Sequence, residues 1–178
     1  MRIILVFLVF LVFLSCTNDP KVVQEFVFKK ELPIEQIKEA ELIQTENGNI
    51  KVKIVANTIN RFQNSHPELI FSNNLVVTFY NDSSKVQSIL KAENASIDEQ
   101  KKIMIASQNV ILESSDDKKL ETEELVWNEA SNKVYTDKKV KITTGKEVIF
   151  GEGFTSNPDF TEYSIVKIHG SLNFDLEE

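Results

Sequence analysis

A repeat of alternating strands limits this chain more than any other feature. Leu90, Ala92, Ile97, Ile105, Val110 and Leu112 recur thirty positions later as Leu120, Thr122, Trp127, Tyr135, Val140 and Ile142. A looser copy precedes them, running from Ile54 and Ala56 through Phe62 to Leu75 and Val77. Each unit reads as a strand, a polar turn and a second strand that closes on a Val-aliphatic pair. A single hairpin cannot bury its apolar face alone, so successive copies must stack and share one core. The expected fold is all-β: a twisted antiparallel sheet of stacked hairpins, curled into a half-pipe or jellyroll.

The alternation within each unit supports this reading. In Ile50-Lys51-Val52-Lys53-Ile54-Val55-Ala56 apolar and basic residues take turns, which marks a strand with one wet face. The same pattern predicts short strands at 75–80, 102–106, 110–112, 123–127, 133–136, 140–143, 147–150 and 163–168. Turn-forming residues separate them, at Asn47-Gly48-Asn49, Ser72-Asn73-Asn74, Asn81-Asp82-Ser83-Ser84, Ser114-Ser115-Asp116-Asp117 and Thr144-Gly145-Lys146. No long window carries a helical stripe, and Asp98 to Met104 reads as a hairpin connection.

The first residues follow a different logic. Met1-Arg2 gives a positive start, Ile3 to Leu14 is an unbroken apolar run, and Ser15-Cys16 follows directly. Twelve helical residues rise about 18 Å, short of a hydrocarbon core of about 30 Å. Residues 1–15 therefore read as a secretory signal, and a small residue followed by Cys resembles the bacterial lipoprotein signal, in which the thiol is acylated and cleavage leaves Cys16 first. Residues 16–31 read as a tether that holds the folded domain, residues 32–178, some tens of Å from a membrane.

Composition narrows the function. Twenty basic against 27 acidic side chains leave a net charge of −7, with no basic block, which argues against nucleic acid. One cysteine excludes an internal disulfide framework. Enzymatic readings find little support, because His66 and His169 stand in polar surroundings with no nucleophile set beside them. Gly151-Glu152-Gly153 lacks the third glycine and the helix of a dinucleotide loop, and Glu121, Glu123 and Glu124 read as a wet charged face. Trp127 matches Ile97 in the repeat, which favours a core position over ligand stacking.

Ala92 with its partner strand and Val110-Ile111-Leu112, then Leu120 to Asn128, Val134-Tyr135-Thr136, Val140-Lys141-Ile142 and Gly145 to Gly153, are similar in order to the LptC family, the periplasmic component of lipopolysaccharide export. The similarity runs over about Leu32 to Gly170. The resemblance implies a jellyroll of the OstA/LptA-like kind, open along one side, whose interior holds lipid A acyl chains without catalysis, cofactor or metal. One sheet edge would dock on the jellyroll of the inner-membrane ABC transporter, and the opposite edge would pair with a downstream LptA-like periplasmic protein. It implies a groove lined by Ala92, Val110, Leu112, Leu125, Trp127, Val140 and Ile142. The partner edge is expected near Gly145, Gly151 and Gly153, three of the five glycines within nine residues. The best-known members use a transmembrane helix, whereas this chain offers Cys16, with the inner membrane the favoured site of anchoring.

A second reading is a lipoprotein scaffold that uses the same open sheet to hold other envelope components. An open seam lined by the apolar face favours lipid; a sealed, side-chain-filled interior favours the scaffold. For the anchor, Cys16→Ala should abolish acylation and leave an unprocessed precursor. Mass spectrometry that finds the native mature start at another residue would refute the lipoprotein reading.

Overall fold

The computed structural model describes residues 32–173 except 64, and every regular element within them is a β-strand. The signal, Cys16 and the tether lie outside these residues. Nine strands, β1 (Glu35–Glu46), β2 (Asn49–Arg61), β3 (Leu69–Tyr80), β4 (Val86–Asp98), β5 (Ile103–Ser114), β6 (Lys119–Asn128), β7 (Lys133–Thr143), β8 (Glu147–Ser156) and β9 (Tyr163–Asn173), form a single antiparallel sheet in chain order. The first hairpin shows why: Asn47 and Gly48 both have positive φ, as the tight two-residue turn that matches strand twist demands.

The thirty-residue repeat becomes a row across the sheet. Ile54, Val77, Leu90, Leu112, Leu120 and Ile142 are cross-strand partners in succession, and all are buried. Equivalent positions share their environments: Ile97 and Trp127 are partly buried against the core, while Ile105 and Tyr135 are exposed.

Strands β2 to β7 are each interrupted near the middle. The register shifts between Val55 and Thr58, Ser72 and Leu75, Lys91 and Asn94, Ser107 and Val110, Thr122 and Val126, and Thr136 and Lys139. These bulges line up as a crease. A bulge bends its strand and sharpens the local twist, so a line of them folds the sheet over itself. Phe79 and Trp127 show the result, with ring centroids 5.3 Å apart in an edge-to-face contact. They lie three strands apart, about 14 Å across a flat sheet, and on opposite sides of the crease. Gln44, at the end of β1, likewise donates a 3.0 Å hydrogen bond to Glu129, beyond β6.

The pairs of short strands expected at 102–106 with 110–112, and at 133–136 with 140–143, are single strands, β5 and β7, bent at the crease. Ser72-Asn73-Asn74 is no turn but the bulge of β3, where both asparagines take positive φ. Asn tolerates the left-handed region in bulges for the same reason it does in turns. β4 carries no sustained period-two pattern, because its buried positions change parity from Ser88, Leu90 and Ala92 to Ala95. The connection expected at Asp98 to Met104 does link two antiparallel strands, β4 and β5.

The fully buried row generates a stability test. Leu112→Ala should cost about 2–5 kcal/mol. Lys91→Ala, which loses an exposed 2.9 Å ion pair to Glu113, should cost about 0.5 kcal/mol or less. Urea unfolding that gives equal costs for the two would contradict this assignment of the core.

Candidate functional site

The seven residues expected to line a groove all face inward. Ala92, Val110, Leu112, Leu125, Val140 and Ile142 are buried, and Trp127 is partly buried against them. Across the middle of the sheet they pack on one another and on residues such as Phe71 and Val77, so the centre of the inner face is filled by side chains. Space opens toward one end, in a cleft of about 650 Å³ with Val52, Phe79 and Trp127 among its lining and Glu46, Lys51 and Asp159 at its polar parts. The indole N–H of Trp127 is buried and has no hydrogen-bond partner among the described residues. A buried polar group without a partner is costly, so this donor is open to a water or a ligand in the cleft.

The margins of the sheet are open where its centre is not. Among the described residues β1 and β9 each pair on one side only. Along β1, Ile37 and Leu42 face the same way as buried Ile59 and Ile54, yet remain 39% and 36% exposed. On β9, Ile168 pairs with buried Gly151 and is 63% exposed. An edge strand with free backbone groups and uncovered inward apolar side chains is a template for another strand.

The glycines stand one strand inside that edge. Gly145 occupies the β7–β8 turn with open space around it, while Gly151 and Gly153 face β9. A Cβ on Gly151 would lie 2.7 Å from the carbonyl oxygen of Lys167, and one on Gly153, where φ is +77°, would lie 2.9 Å from Val166. They permit β9 to come close, so among the described residues the C-terminal edge is β9 itself. The run Glu147 to Phe150 lies within β8, which is paired on both sides.

A further cluster escaped the sequence. His66, read there as an isolated loop residue, lies 2.9 Å from Glu68 and 3.9 Å from Asp98. Asp98 is buried and accepts bonds from the Lys101 ammonium at 2.7 Å and the Lys101 amide at 2.8 Å. The Lys101 side chain, then its amide, hold the Asp98 carboxyl below the ordinary range. With both oxygens of Asp98 engaged by Lys101, the arrangement secures the β4–β5 turn. No sequence spacing marks it, because the ladder of β3 and β4 brings the residues together. Glu121, in turn, is bonded by Lys141 and Lys119, which lower its pKa, and it belongs to a charged outer row between β6 and β7.

Among the described residues no helix is long and apolar enough to cross a membrane. A family model described as lipopolysaccharide-assembly, LptC-related, matches residues 1–164, up to the start of β9. No curated protein matches the chain.

Two tests follow from this geometry. Gly151→Ala should loosen β9 at a cost of about 1–3 kcal/mol, as overpacking does. Hydrogen exchange should quicken along Tyr163–Asn173 first, and an unchanged β9 would show that the close approach is not required. The depressed pKa of Asp98 lies below its unfolded value, so its stabilisation is complete above the ordinary carboxyl pKa of about 3.9 and is lost as pH falls through the depressed one. The stability difference between the wild type and Asp98→Asn should therefore be largest near neutrality and shrink in acid. A difference that stays constant with pH would contradict the Lys101 link.

Proposed function

The chain belongs to the LptC-related family of lipopolysaccharide-assembly proteins, and on that premise we propose that it is a periplasmic lipid-transfer bridge. The family acts in lipopolysaccharide transport and is a transport component of the cell envelope. In our reading, acyl chains of lipid A arrive from the jellyroll of the inner-membrane ABC transporter at the β1 edge. They pass along the inner face and leave at the β9 edge to a downstream LptA-like jellyroll. Acylated Cys16 holds the protein at a membrane, the inner one being favoured, and residues 16–31 give the domain its reach.

The single observation that carries this reading is a continuous apolar inner face that ends, among the described residues, at two edge strands with uncovered apolar side chains. Pairing at those edges would extend the inner face into the next molecule. Acyl chains gain about 0.8 kcal/mol per buried CH₂, so such a path needs no catalytic group. Because the centre is filled, the two layers must part to admit a chain, beginning at the cleft beside Phe79 and Trp127.

The filled centre also favours a second reading, a scaffold that joins envelope proteins through its edges with no lipid inside. Site-directed photo-crosslinking in cells separates the two. A crosslinker at Val140 or Ile142 should capture lipopolysaccharide, whereas one at Lys139 or Lys141, on the opposite face, should not. Equal labelling at both parities would refute the inner path. Partner capture at β1 and β9 without lipid capture at Val140 would establish the scaffold.

A further inference from the structure

The loop between β8 and β9 puts a side chain of its own into the inner space. Phe160 is fully buried, and it is the one member of the core among the described residues that does not come from a strand. It stands edge-on to Phe154 and Tyr163, with ring centroids at 5.4 Å and 5.3 Å. Its φ is +58°, a region that bulky residues avoid unless their surroundings hold them there. Such backbone outliers gather at clamps and switches.

What holds the loop comes from the opposite side of the crease. The Ser88 hydroxyl of β4 donates to the Pro158 carbonyl at 2.6 Å, and the Lys118 ammonium, at the β5–β6 turn, donates to the carbonyls of Phe160 and Thr161 at 3.3 Å and 3.4 Å. The loop is a unit in itself. Asn157 accepts from the Glu162 amide and donates to Thr161, and Asp159 accepts from the amide and hydroxyl of Thr161. A loop fastened to the far layer by the Phe160 ring and a few polar contacts can open locally, breaking its own short-range bonds, without unpairing any strand. Its flank, Asn157 to Asp159, forms one wall of the cleft beside Trp127.

We propose that the space filled by Phe160 is an acyl-chain subsite and that residues 157–162 are a displaceable plug, with the phenyl ring standing where a lipid chain lies during transit. This rests on the lipid-bridge reading above. Phe160 has the right chemistry for a stand-in, being apolar and flanked by Phe154 and Tyr163, so a hydrocarbon chain that replaces it keeps those rings out of water. Apart from the Phe160 ring itself, the contacts that bind the loop to the far layer are polar and lie at the margin, so the plug can be released while the core row stays intact.

The test is hydrogen exchange on the full chain, with purified lipopolysaccharide as the probe. Phe160, Thr161 and Glu162 should exchange by local opening while β4, β5 and β6 stay protected. Lys118→Ala, which leaves the core untouched, should speed loop exchange about tenfold, in keeping with lost charge-assisted bonds. Added lipopolysaccharide should raise loop exchange further. If the loop exchanges only when β4 to β6 do, with or without lipid, the plug is refuted whatever the cargo. It is equally refuted if a crosslinker at Val140 captures lipid while loop exchange stays unchanged. If the loop opens locally and responds to Lys118→Ala but Val140 never captures lipid, the bridge reading fails, and the subsite with it.

Discussion

The structure depends on a line of mid-strand bulges. One antiparallel sheet of nine strands in chain order has no intrinsic reason to close, and laid flat it would leave its apolar rows in water. The register shifts from Val55 in β2 to Lys139 in β7 bend successive strands at one level, so the inner face finds its partner in the same sheet. Everything buried follows from that crease: the row from Ile54 to Ile142, the contact of Phe79 with Trp127, and the seating of Phe160 against β4 and the β5–β6 turn. Since the fold closes across the sheet and not around it, β1 and β9 never meet as partners.

That asymmetry between a closed centre and open margins governs what the molecule can do. A barrel would have removed both edges and with them any means of joining a neighbour through its strands. Here Gly151 and Gly153 let β9 lie close on β8, so the edge is held in place, and among the described residues no strand pairs with its outer side. A strand added there would meet the exposed Ile168, and one added at β1 would meet Ile37 and Leu42. Burial of those side chains favours pairing beyond the backbone bonds alone.

The repeat made the fold class legible, because equivalent positions thirty residues apart do share burial, down to the half-buried pair Ile97 and Trp127 and the exposed pair Ile105 and Tyr135. Strand lengths were not legible. At a bulge the chain either changes parity, as between Ala92 and Ala95, or inserts a polar pair such as Gln108-Asn109 with positive φ. Both imitate the end of a strand in a reading based on period two. The inward set from Ala92 to Ile142 could be named from alternation, whereas Phe160 could not, since a loop phenylalanine between Asp159 and Thr161 carries no pattern. Clustered glycines signal close backbone approach, but the sequence does not say of what, and here the approaching backbone is the chain's own β9.

A lipid bridge of this shape requires lipid to lie between the two layers. Stacked sheets sit about 10 Å apart when only side chains fill the space, so an acyl chain must push them further apart. Genetically encoded spin labels at Lys53 and Tyr135, on the outer faces of β2 and β7 on either side of the crease, report that separation directly. Pulsed electron–electron distance measurements should show it lengthen by several Å when lipopolysaccharide is added to the full chain. An unchanged distance distribution with lipopolysaccharide demonstrably bound would place the lipid elsewhere on the molecule and contradict the account.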